Sequence, residues 1–295
     1  IVAHFPARGY LGKAMVVTVD KFTAVKMYDK VERLWKERIK ELTGLVSKAA
    51  TAGERAVLQR TLDWMKRAEL AVVVSEEAEE EKRFAKEKLD ISIIEIDVTS
   101  DEQVTKGVAE AERLAGGALD VLINNAGVGY AGPIELQDME ATKLIFDTNV
   151  YGPHRMARAV LPAMRKAKRG LIFNISSQLG RVIVPSAGHY SPTKFALEAM
   201  SEAMAYELVP HNIEVCVIQP GGYPTKVWVN RNVLAKELKG RITEDQAAAY
   251  PALVSRMGLE DGSARSADPM DVPRAIGEII AMPAGTRPLR KAVHP

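Results

Sequence analysis

Tyr190 and Lys194 are the two side chains of this sequence whose types and spacing most directly suggest chemistry, since they lie four residues apart in HYSPTKFALEAMSEAMAYEL. On a helix this spacing places a phenol beside an ammonium group. A phenol ordinarily has a pKa of about 10, and a fixed cation favours its charged form. The pair therefore predicts a general acid and base that exchanges a proton with a carbonyl or an alcohol. Taken alone, the same pair could be a solvated surface feature.

Three short apolar segments lie around this pair in the sequence. Ser177 follows the run Leu171 to Ile175, which predicts a buried strand that ends in hydroxyl groups. DVLINNAG, from Asp120 to Gly127, is a second such run, and IEVCVIQPGG repeats the pattern downstream. Because parallel strands meet ligands at their carboxyl ends, we expect the polar residues after these strands to form one site.

Together with DTNVYG at Asp147 to Gly152, these segments resemble the short-chain dehydrogenase/reductase family over about residues 91–295, and within it the hydroxysteroid-dehydrogenase-like group. The resemblance implies an α/β fold with a Rossmann-like doubly wound parallel sheet, and hydride transfer with NAD or NADP. It makes Tyr190 the catalytic acid and base, with Ser177 bonded to the substrate oxygen. Lys194 is expected to lower the pKa of the tyrosine and to hold the nicotinamide ribose, and Asn149 completes the tetrad.

The resemblance also implies a set of cofactor contacts. Asp97 in IDVTS is the expected adenine contact, and the residues after the second apolar run face the dinucleotide. PGGYPT is expected to meet the nicotinamide amide. The implied cofactor-binding residues are Asp97, Asn124, Ala126, Gly127, Tyr190, Lys194, Pro220, Gly221 and Thr225. Each of these alone could be ordinary turn chemistry.

Asn149 has a local physical argument as well. Pro153 follows it by four residues in what the pattern predicts to be one long helix from about Glu140 to Met164. Proline has no N–H group, so the carbonyl of Asn149 loses its helical partner and the helix should kink there. The free carbonyl would hold a water that, in the family, links the lysine to solvent. The alternative is a kink that serves packing alone.

The amino-terminal stretch departs from the family, because it has no glycine-rich turn of the TGxxxGxG kind. Residues 18–21, TVDK, stand where those glycines belong, and an aspartate there would repel pyrophosphate. Residues 1–90 instead resemble part of the motor subunit of type I restriction enzymes. We therefore divide the chain into a foreign segment at 1–90 and a reductase-like domain at 91–295 that lacks its glycine-rich loop.

The foreign segment predicts a β-α-α-β-α order that replaces the first strands of the sheet. Its elements are a strand at 14–19, helices at 22–42 and 54–67, a strand at 70–74 and an acidic helix through Lys88, followed by a strand at 91–96. Gly9, Gly12 and Lys13 do not form a phosphate-binding loop, because two residues separate the glycines and Ala14 follows the lysine. The sequence therefore does not predict an ATPase.

Composition sets wider bounds. The chain has 295 residues, 47% hydrophobic and 26% charged, with a net charge of +2, so it predicts a globular protein and does not favour a nucleic-acid partner. The lone Cys216 predicts a small core residue in a reducing, cytoplasmic protein. The five histidines offer no metal spacing, no run has transmembrane length, and a start at Ile1 indicates a processed, truncated or fragmentary sequence.

The sequence leaves three functions open. The first is an NAD(P)-dependent oxidoreductase acting on an apolar carbonyl or alcohol, because the helical segment 226–262 carries apolar residues that could cover a substrate. The same residues could form a homo-oligomer contact. The second is an inactive chimeric or truncated reductase that cannot bind dinucleotide. The third is a nucleic-acid-associated fragment of a DNA translocase.

Overall fold

The fold is built on a parallel β-sheet. The structure, a computed structural model, describes residues 14–17, 39–67, 70–73 and 91–294. Its strands within these ranges are β1 (Ala14–Val17), β2 (Leu70–Val73), β3 (Ile91–Ile94), β4 (Val121–Asn124), β5 (Gly170–Ile175), β6 (Ile213–Pro220) and β7 (Arg290–Val293). All neighbours pair in parallel in the order β3-β2-β1-β4-β5-β6-β7. This order reverses between β1 and β4, so the predicted Rossmann-like α/β fold is confirmed.

Helices connect the strands, as parallel pairing requires. Residues 39–48 are helical. The other described helices are α1 (Ala52–Arg67), α2 (Asp101–Ala115), α3 (Met139–Phe146), α4 (Gly152–Ala167), α5 (Tyr190–Glu207), α6 (Val227–Lys239), α7 (Glu244–Ala249), α8 (Pro251–Val254) and α9 (Asp271–Ala281). Short 3-10 turns lie at Ile134–Leu136, Gln178–Gly180 and Val209–His211.

The hydrophobic core lies on both faces of the sheet, because successive strand residues point to opposite sides. Leu122 and Ile172 pack on one face with residues of α2 and α4, such as Val108 and Val160. Ile123 and Phe173 pack on the other face with α9. Each such large side chain, fully buried, stabilises the fold by about 1.5–3 kcal/mol. The two packed faces fix the strand ends, and so they fix the residues that follow them.

The predicted long helix from Glu140 to Met164 is divided in three. A π-helical segment, Asp147–Tyr151, joins α3 to α4, and its last bond runs from the Gly152 N–H to the Asp147 carbonyl. The expected kink at Asn149 thus takes the form of a widened turn just before Pro153. A proline that cannot donate to the carbonyl four residues back favours such a local change of hydrogen bonding.

Several elements predicted for the amino-terminal stretch lie within the described residues. β1 lies between β2 and β4, so a strand of the 1–90 stretch lies inside the sheet and not at its edge. β2, β3 and α1 fall within about two residues of the predicted positions, whereas the helix predicted over 22–42 continues to residue 48. The start of that helix, the acidic helix through Lys88 and the TVDK segment at 18–21 lie outside the described residues. The foreign origin of residues 1–90 and the division near Asp90 stay predictions.

Candidate active site

The predicted site residues gather where β4, β5 and β6 end. Gly127 follows β4 by three residues, Ser177 follows β5 by two, and Gly221 follows β6 directly. α5 begins at Tyr190, so the tyrosine lies in the first turn of the helix that packs beside β6 and the 3-10 turn after β5. The carboxyl ends of neighbouring parallel strands thus place the predicted residues at one edge of the sheet.

Tyr190 and Lys194 are neighbours along α5. The Lys194 Nζ atom lies 5.6 Å from the centroid of the Tyr190 ring and donates a hydrogen bond of 2.9 Å to the Ile175 carbonyl. The lysine is 5% exposed, so its charge is held in a medium that screens it weakly. The carbonyl at the end of β5 thereby orients the ammonium toward the tyrosine.

The pKa values of this pair are set mainly by burial. Burial raises the pKa of the Tyr190 phenol, while a hydrogen bond with Ser177 and the positive charge of Arg231 act to lower it. Burial also lowers the pKa of Lys194 to about 8, against the opposing effect of the Glu198 carboxylate. The expectation that Lys194 brings the phenol toward neutrality therefore differs from the structure, in which loss of solvation by the phenolate outweighs the favourable contacts.

Ser177 is buried beside the tyrosine. Its backbone is extended, and its Oγ atom accepts a hydrogen bond of 3.1 Å from the Leu179 N–H, which caps the short 3-10 turn Gln178–Gly180. The same side chain acts on the Tyr190 phenol and favours its ionised form, which lowers its pKa. The turn after β5 therefore holds the serine where it can share one ligand oxygen with the phenol.

Asn149 lies on the other side of Lys194, in the π-helical segment. Its Oδ1 atom accepts from the Val128 N–H at 2.8 Å, and its Nδ2 atom donates to the Val128 carbonyl at 2.8 Å. Nδ2 also lies 3.1 Å from Thr193 Oγ1. The amide thus joins the loop after β4 to α5, which is a positioning role that the sequence argument about its carbonyl did not include.

Gly127 leaves space beside these two side chains. A Cβ atom there would lie 3.3 Å from Asn149 Oδ1 and 3.7 Å from Lys194 Nζ. Four of the predicted residues, Gly127, Asn149, Tyr190 and Lys194, thus lie in one neighbourhood. The narrow space above the glycine is the kind of backbone surface that a ligand can approach closely.

The other predicted cofactor residues lie at strand ends and in loops. Asn124 ends β4 and donates from Nδ2 to Asn174 Oδ1 at 2.8 Å. Its amide therefore also links β4 to β5 by a buried hydrogen bond. Asp97 is exposed after β3, and its Oδ1 atom accepts from the Thr99 N–H and hydroxyl. Ala126 is half-buried beside Gly127.

The loop after β6 holds the last three predicted contacts. Pro220 ends the strand, and the Gly221 N–H donates to the Val293 carbonyl at 2.8 Å. The Thr225 carbonyl accepts from the Trp228 N–H at 3.3 Å, just before α6. The loop is thus anchored at both ends, to β7 and to the first turn of α6.

Sequence reasoning missed two charged residues near the pair. Glu198, one turn after Lys194, is buried and accepts from Gln219 and from Arg290. Arg231 comes from α6, and its Cγ and Cδ atoms lie beside Gly129 together with the edge of the Tyr190 ring. Glu198 could have been found from the sequence, because its spacing from Lys194 places the two side chains one turn apart on the predicted helix. No local pattern links Arg231 to Tyr190.

The described residues limit other chemistries. Among them, no group of three or more histidine, cysteine or acidic side chains is arranged to hold a metal ion. Cys216 is buried, and burial raises the pKa of its thiol to about 12, in line with the predicted core role. No helix within the described ranges is long and apolar enough to cross a membrane.

Comparison with known proteins places these features in a family. The sequence profile of the short chain dehydrogenases matches residues 55–234. The 3-ketodihydrosphingosine reductase of Bacteroides thetaiotaomicron is 40% identical over 193 residues, which are 65% of this chain and 69% of that protein. Retinol dehydrogenase 8 of Bos taurus is 38% identical over 136 residues, 46% of this chain, and the match spans less than half of that protein, 43%.

A solved structure shows the same fold over most of the chain. It is a short chain dehydrogenase/reductase from Burkholderia phymatum in complex with NAD, with a TM-score of 0.66 and 20% identity. The alignment covers 97% of this chain and 90% of that one. The profile match begins at residue 55, inside the stretch that the sequence assigned to a foreign segment.

Proposed function

Because this chain belongs to the short chain dehydrogenase family, we propose that it interconverts a carbonyl and an alcohol with a nicotinamide dinucleotide. The single observation that carries the proposal is the convergence of three groups from separate elements. Lys194 lies beside the Tyr190 ring, and the Ser177 hydroxyl is near enough to the Tyr190 phenol to act to lower its pKa. An acid, a cation and a hydroxyl group around one point are what reduction of a carbonyl requires.

The proton comes from the Tyr190 hydroxyl. In reduction, the phenol gives its proton to the carbonyl oxygen of the substrate, and the Ser177 hydroxyl donates a hydrogen bond to that oxygen. Loss of the proton leaves a phenolate, whose charge is stabilised by Lys194 and by Arg231. A bound NADH or NADPH would supply the hydride that reaches the carbonyl carbon.

The residues around Gly127 fit a dinucleotide. The glycine leaves room beside Asn149 and the buried Lys194 ammonium, at the switch point where the strand order reverses. We assign the ribose contact to Lys194 and Tyr190, and the contact with the nicotinamide amide to Pro220, Gly221 and Thr225. Asp97 would contact the adenine of the dinucleotide. The residues after β4 would lie along the dinucleotide. The choice between NAD and NADP is left to the binding measurement below.

The substrate is expected to be a largely apolar carbonyl or alcohol. Val182, Ile183 and Val184 are exposed in the loop that leads to Tyr190. Leu238 and Met257, from the segment predicted to cover the substrate, pack in a cluster that includes Tyr190 at its edge. The named relatives act on a ketodihydrosphingosine and on retinol, and both names denote substrates with long apolar chains.

The test is the Tyr190→Phe variant, assayed by the absorbance of reduced nicotinamide with NADH and NADPH and a panel of apolar ketones. We expect turnover to fall by at least about a hundredfold, because the acid is removed while the ring remains. Tyr206→Phe is the matched control, since this tyrosine lies exposed on the same helix and donates a hydrogen bond to Glu202. An unchanged rate in the Tyr190 variant would overturn the assignment.

A second candidate is a protein that keeps these side chains but does not bind dinucleotide. The observation that favours it is the TVDK sequence at 18–21, where the family has glycines. Calorimetric titration with NADH and NADPH separates the two candidates. Micromolar binding supports the oxidoreductase, and no binding at millimolar concentration supports the inactive protein.

A further inference from the structure

Two arginines, a glutamate and a tryptophan form a compact group between the first turns of α6 and the loop after α8. We call Trp228, Arg231, Glu260 and Arg265 the arginine cluster. Both guanidinium groups lie over the Trp228 ring, with Cζ atoms 5.1 Å (Arg231) and 4.1 Å (Arg265) from its centroid. The indole is itself fixed, because its Nε1 atom donates to the Tyr223 carbonyl at 2.7 Å. Stacking and this bond hold the two cations in place.

The cluster carries one net positive charge. Glu260 bonds Arg265 at 2.6 Å and Arg231 at the longer distance of 3.3 Å. One carboxylate therefore serves two guanidinium groups, and the contact with Arg231 is the weaker of the two. A second anion beside Arg231 would complete the charge balance without breaking the shorter ion pair.

The cluster also has unused donors. Within the part of the chain that the structure describes, the Nε atoms of Arg231 and Arg265 are buried and have no hydrogen-bond partner. A buried donor without a partner is unfavourable, so such groups usually face a ligand, an ion or a water. A carboxylate or phosphate oxygen is the acceptor that matches a guanidinium best.

Arg231 brings the cluster to the tyrosine. A Cβ atom on Gly129 would lie 3.7 Å from the Arg231 Cγ and Cδ atoms and 3.7 Å from the Tyr190 Cδ2 atom. The arginine stem and the ring edge thus flank the same glycine. The other groups around Tyr190, namely Ser177 and Lys194, lie on the side of β5 and Gly127. Arg231 is therefore the charged residue on the side of α6, which is the segment proposed to cover the substrate.

We propose that the arginine cluster is an oxyanion subsite, in which Arg231 binds a carboxylate or phosphate group carried by the substrate next to its reacting carbonyl. The inference rests on the proposed function, in which Tyr190 gives a proton to the carbonyl oxygen of the substrate. It narrows the substrate class to apolar carbonyl compounds with one anionic end. The same oxyanion chemistry occurs in the pyrophosphate of a dinucleotide. We assign the subsite to the substrate, because the cluster adjoins the Tyr190 ring edge across Gly129.

The experiment measures binding rather than turnover. Hexanoate and methyl hexanoate are titrated calorimetrically into the full chain and into Arg231→Met, Arg231→Lys and Arg113→Met. Arg113 is the control for loss of one positive charge, since it lies exposed on α2 and is paired with Glu110. We expect hexanoate to bind at least about tenfold more tightly than the ester, and Arg231→Met to remove that preference. Arg231→Lys should keep part of it, and Arg113→Met all of it.

Three results would overturn the proposal. They are equal binding of acid and ester, equal loss in the Arg231 and Arg113 variants, and no binding of hexanoate. A titration with NADH and NADPH tests whether the cluster binds the pyrophosphate of the dinucleotide instead. If Arg231→Met binds dinucleotide more weakly but binds hexanoate as the wild type does, the cluster belongs to the pyrophosphate. That result also overturns the proposal. Circular dichroism checks that each variant is folded, and the lysine variant keeps the test valid if methionine is not tolerated.

The proposed function fails separately from this inference. Hexanoate binding should persist in Tyr190→Phe, which removes the proton donor but not the guanidinium. If ketones are not reduced by the wild-type protein, the oxidoreductase assignment fails, while the hexanoate titration still decides whether the subsite exists.

Discussion

Asn149 makes two hydrogen bonds of 2.8 Å with Val128, one to its N–H and one to its carbonyl. The asparagine lies in the π-helical segment before Pro153, and the valine lies in the loop after β4. The amide side chain of Asn149 therefore satisfies both the N–H and the carbonyl of Val128, as a neighbouring strand would do in a sheet. This contact fixes the loop that carries Gly127, beside the Lys194 ammonium.

Replacing Asn149 by alanine should destabilise the protein by about 3 kcal/mol, because both polar groups of Val128 lose their partner in a buried place. Urea unfolding at neutral pH measures the change. Asn230→Ala, on the exposed side of α6, is the control and should change the free energy of unfolding by less than about 0.5 kcal/mol. Equal losses in the two variants would contradict the structural role of Asn149.

Lys194 should make stability depend on pH in a defined window. Its pKa is about 8 in the folded chain against 10.5 for an ordinary lysine, so below pH 8 the folded state carries a buried charge at a cost of roughly 3 kcal/mol. As pH rises from about 8 to about 10.5, the folded lysine loses its proton before the unfolded one does, and that cost disappears. Wild type should gain stability over Lys194→Met across this window.

The measurement for Lys194 is the difference in unfolding free energy between wild type and variant at several pH values. Lys106→Met provides the control, because Lys106 is exposed and paired with Glu102 on α2. Its difference from wild type should stay constant over the same window. A constant difference for Lys194→Met as well would show that the ammonium is not buried as described.

Gly188 lies two residues before Tyr190 and should not tolerate a side chain. Its φ is +54°, and a Cβ atom would overlap the Gln137 amide, which accepts from the His189 N–H. Gly188→Ala should therefore cost about 1 kcal/mol for the backbone and a further 1–3 kcal/mol for the clash. Gly285→Ala isolates the first contribution, because that glycine has φ +81° with nothing within 4 Å of the added Cβ atom. Equal thermal shifts in the two variants would refute the clash.

Glu198 and Arg290 join α5 to the edge strand β7. The carboxylate is 3% exposed and accepts from Arg290 Nε at 2.8 Å and from Gln219 Nε2 at 2.8 Å. Glu198→Ala should destabilise the fold by about 1–3 kcal/mol, because the Gln219 amide and the Arg290 guanidinium lose a buried acceptor, while Arg290 keeps its ion pair with Glu202. Glu102→Ala breaks an exposed pair on α2 and should cost less than about 1 kcal/mol. Similar losses measured by urea unfolding would contradict the burial of the Glu198 pair.

Much of the fold could be predicted from the sequence, because its determinants are local. Continuous apolar runs mark β4, β5 and β6, and helical periodicity marks α1, whose predicted bounds lie within about two residues of the observed ones. The pairing order of the strands, with β1 between β2 and β4, depends on how distant segments pack and was not predicted. The widened turn before Pro153 was predicted only as a kink, since the position of a proline does not specify how the chain redistributes its hydrogen bonds.

The sequence by itself determined the secondary structure and the pair Tyr190 and Lys194, because residues four apart on a helix meet whatever surrounds them. Only the tertiary structure decided the environment of that pair. The bonds of Asn149 with Val128 span 21 residues and that of Glu198 with Arg290 spans 92, and Arg231 reaches Gly129 and the tyrosine from a separate helix. Such contacts depend on how packed elements meet in space, and burial there sets the pKa values of Tyr190 and Lys194, so no local pattern contains them.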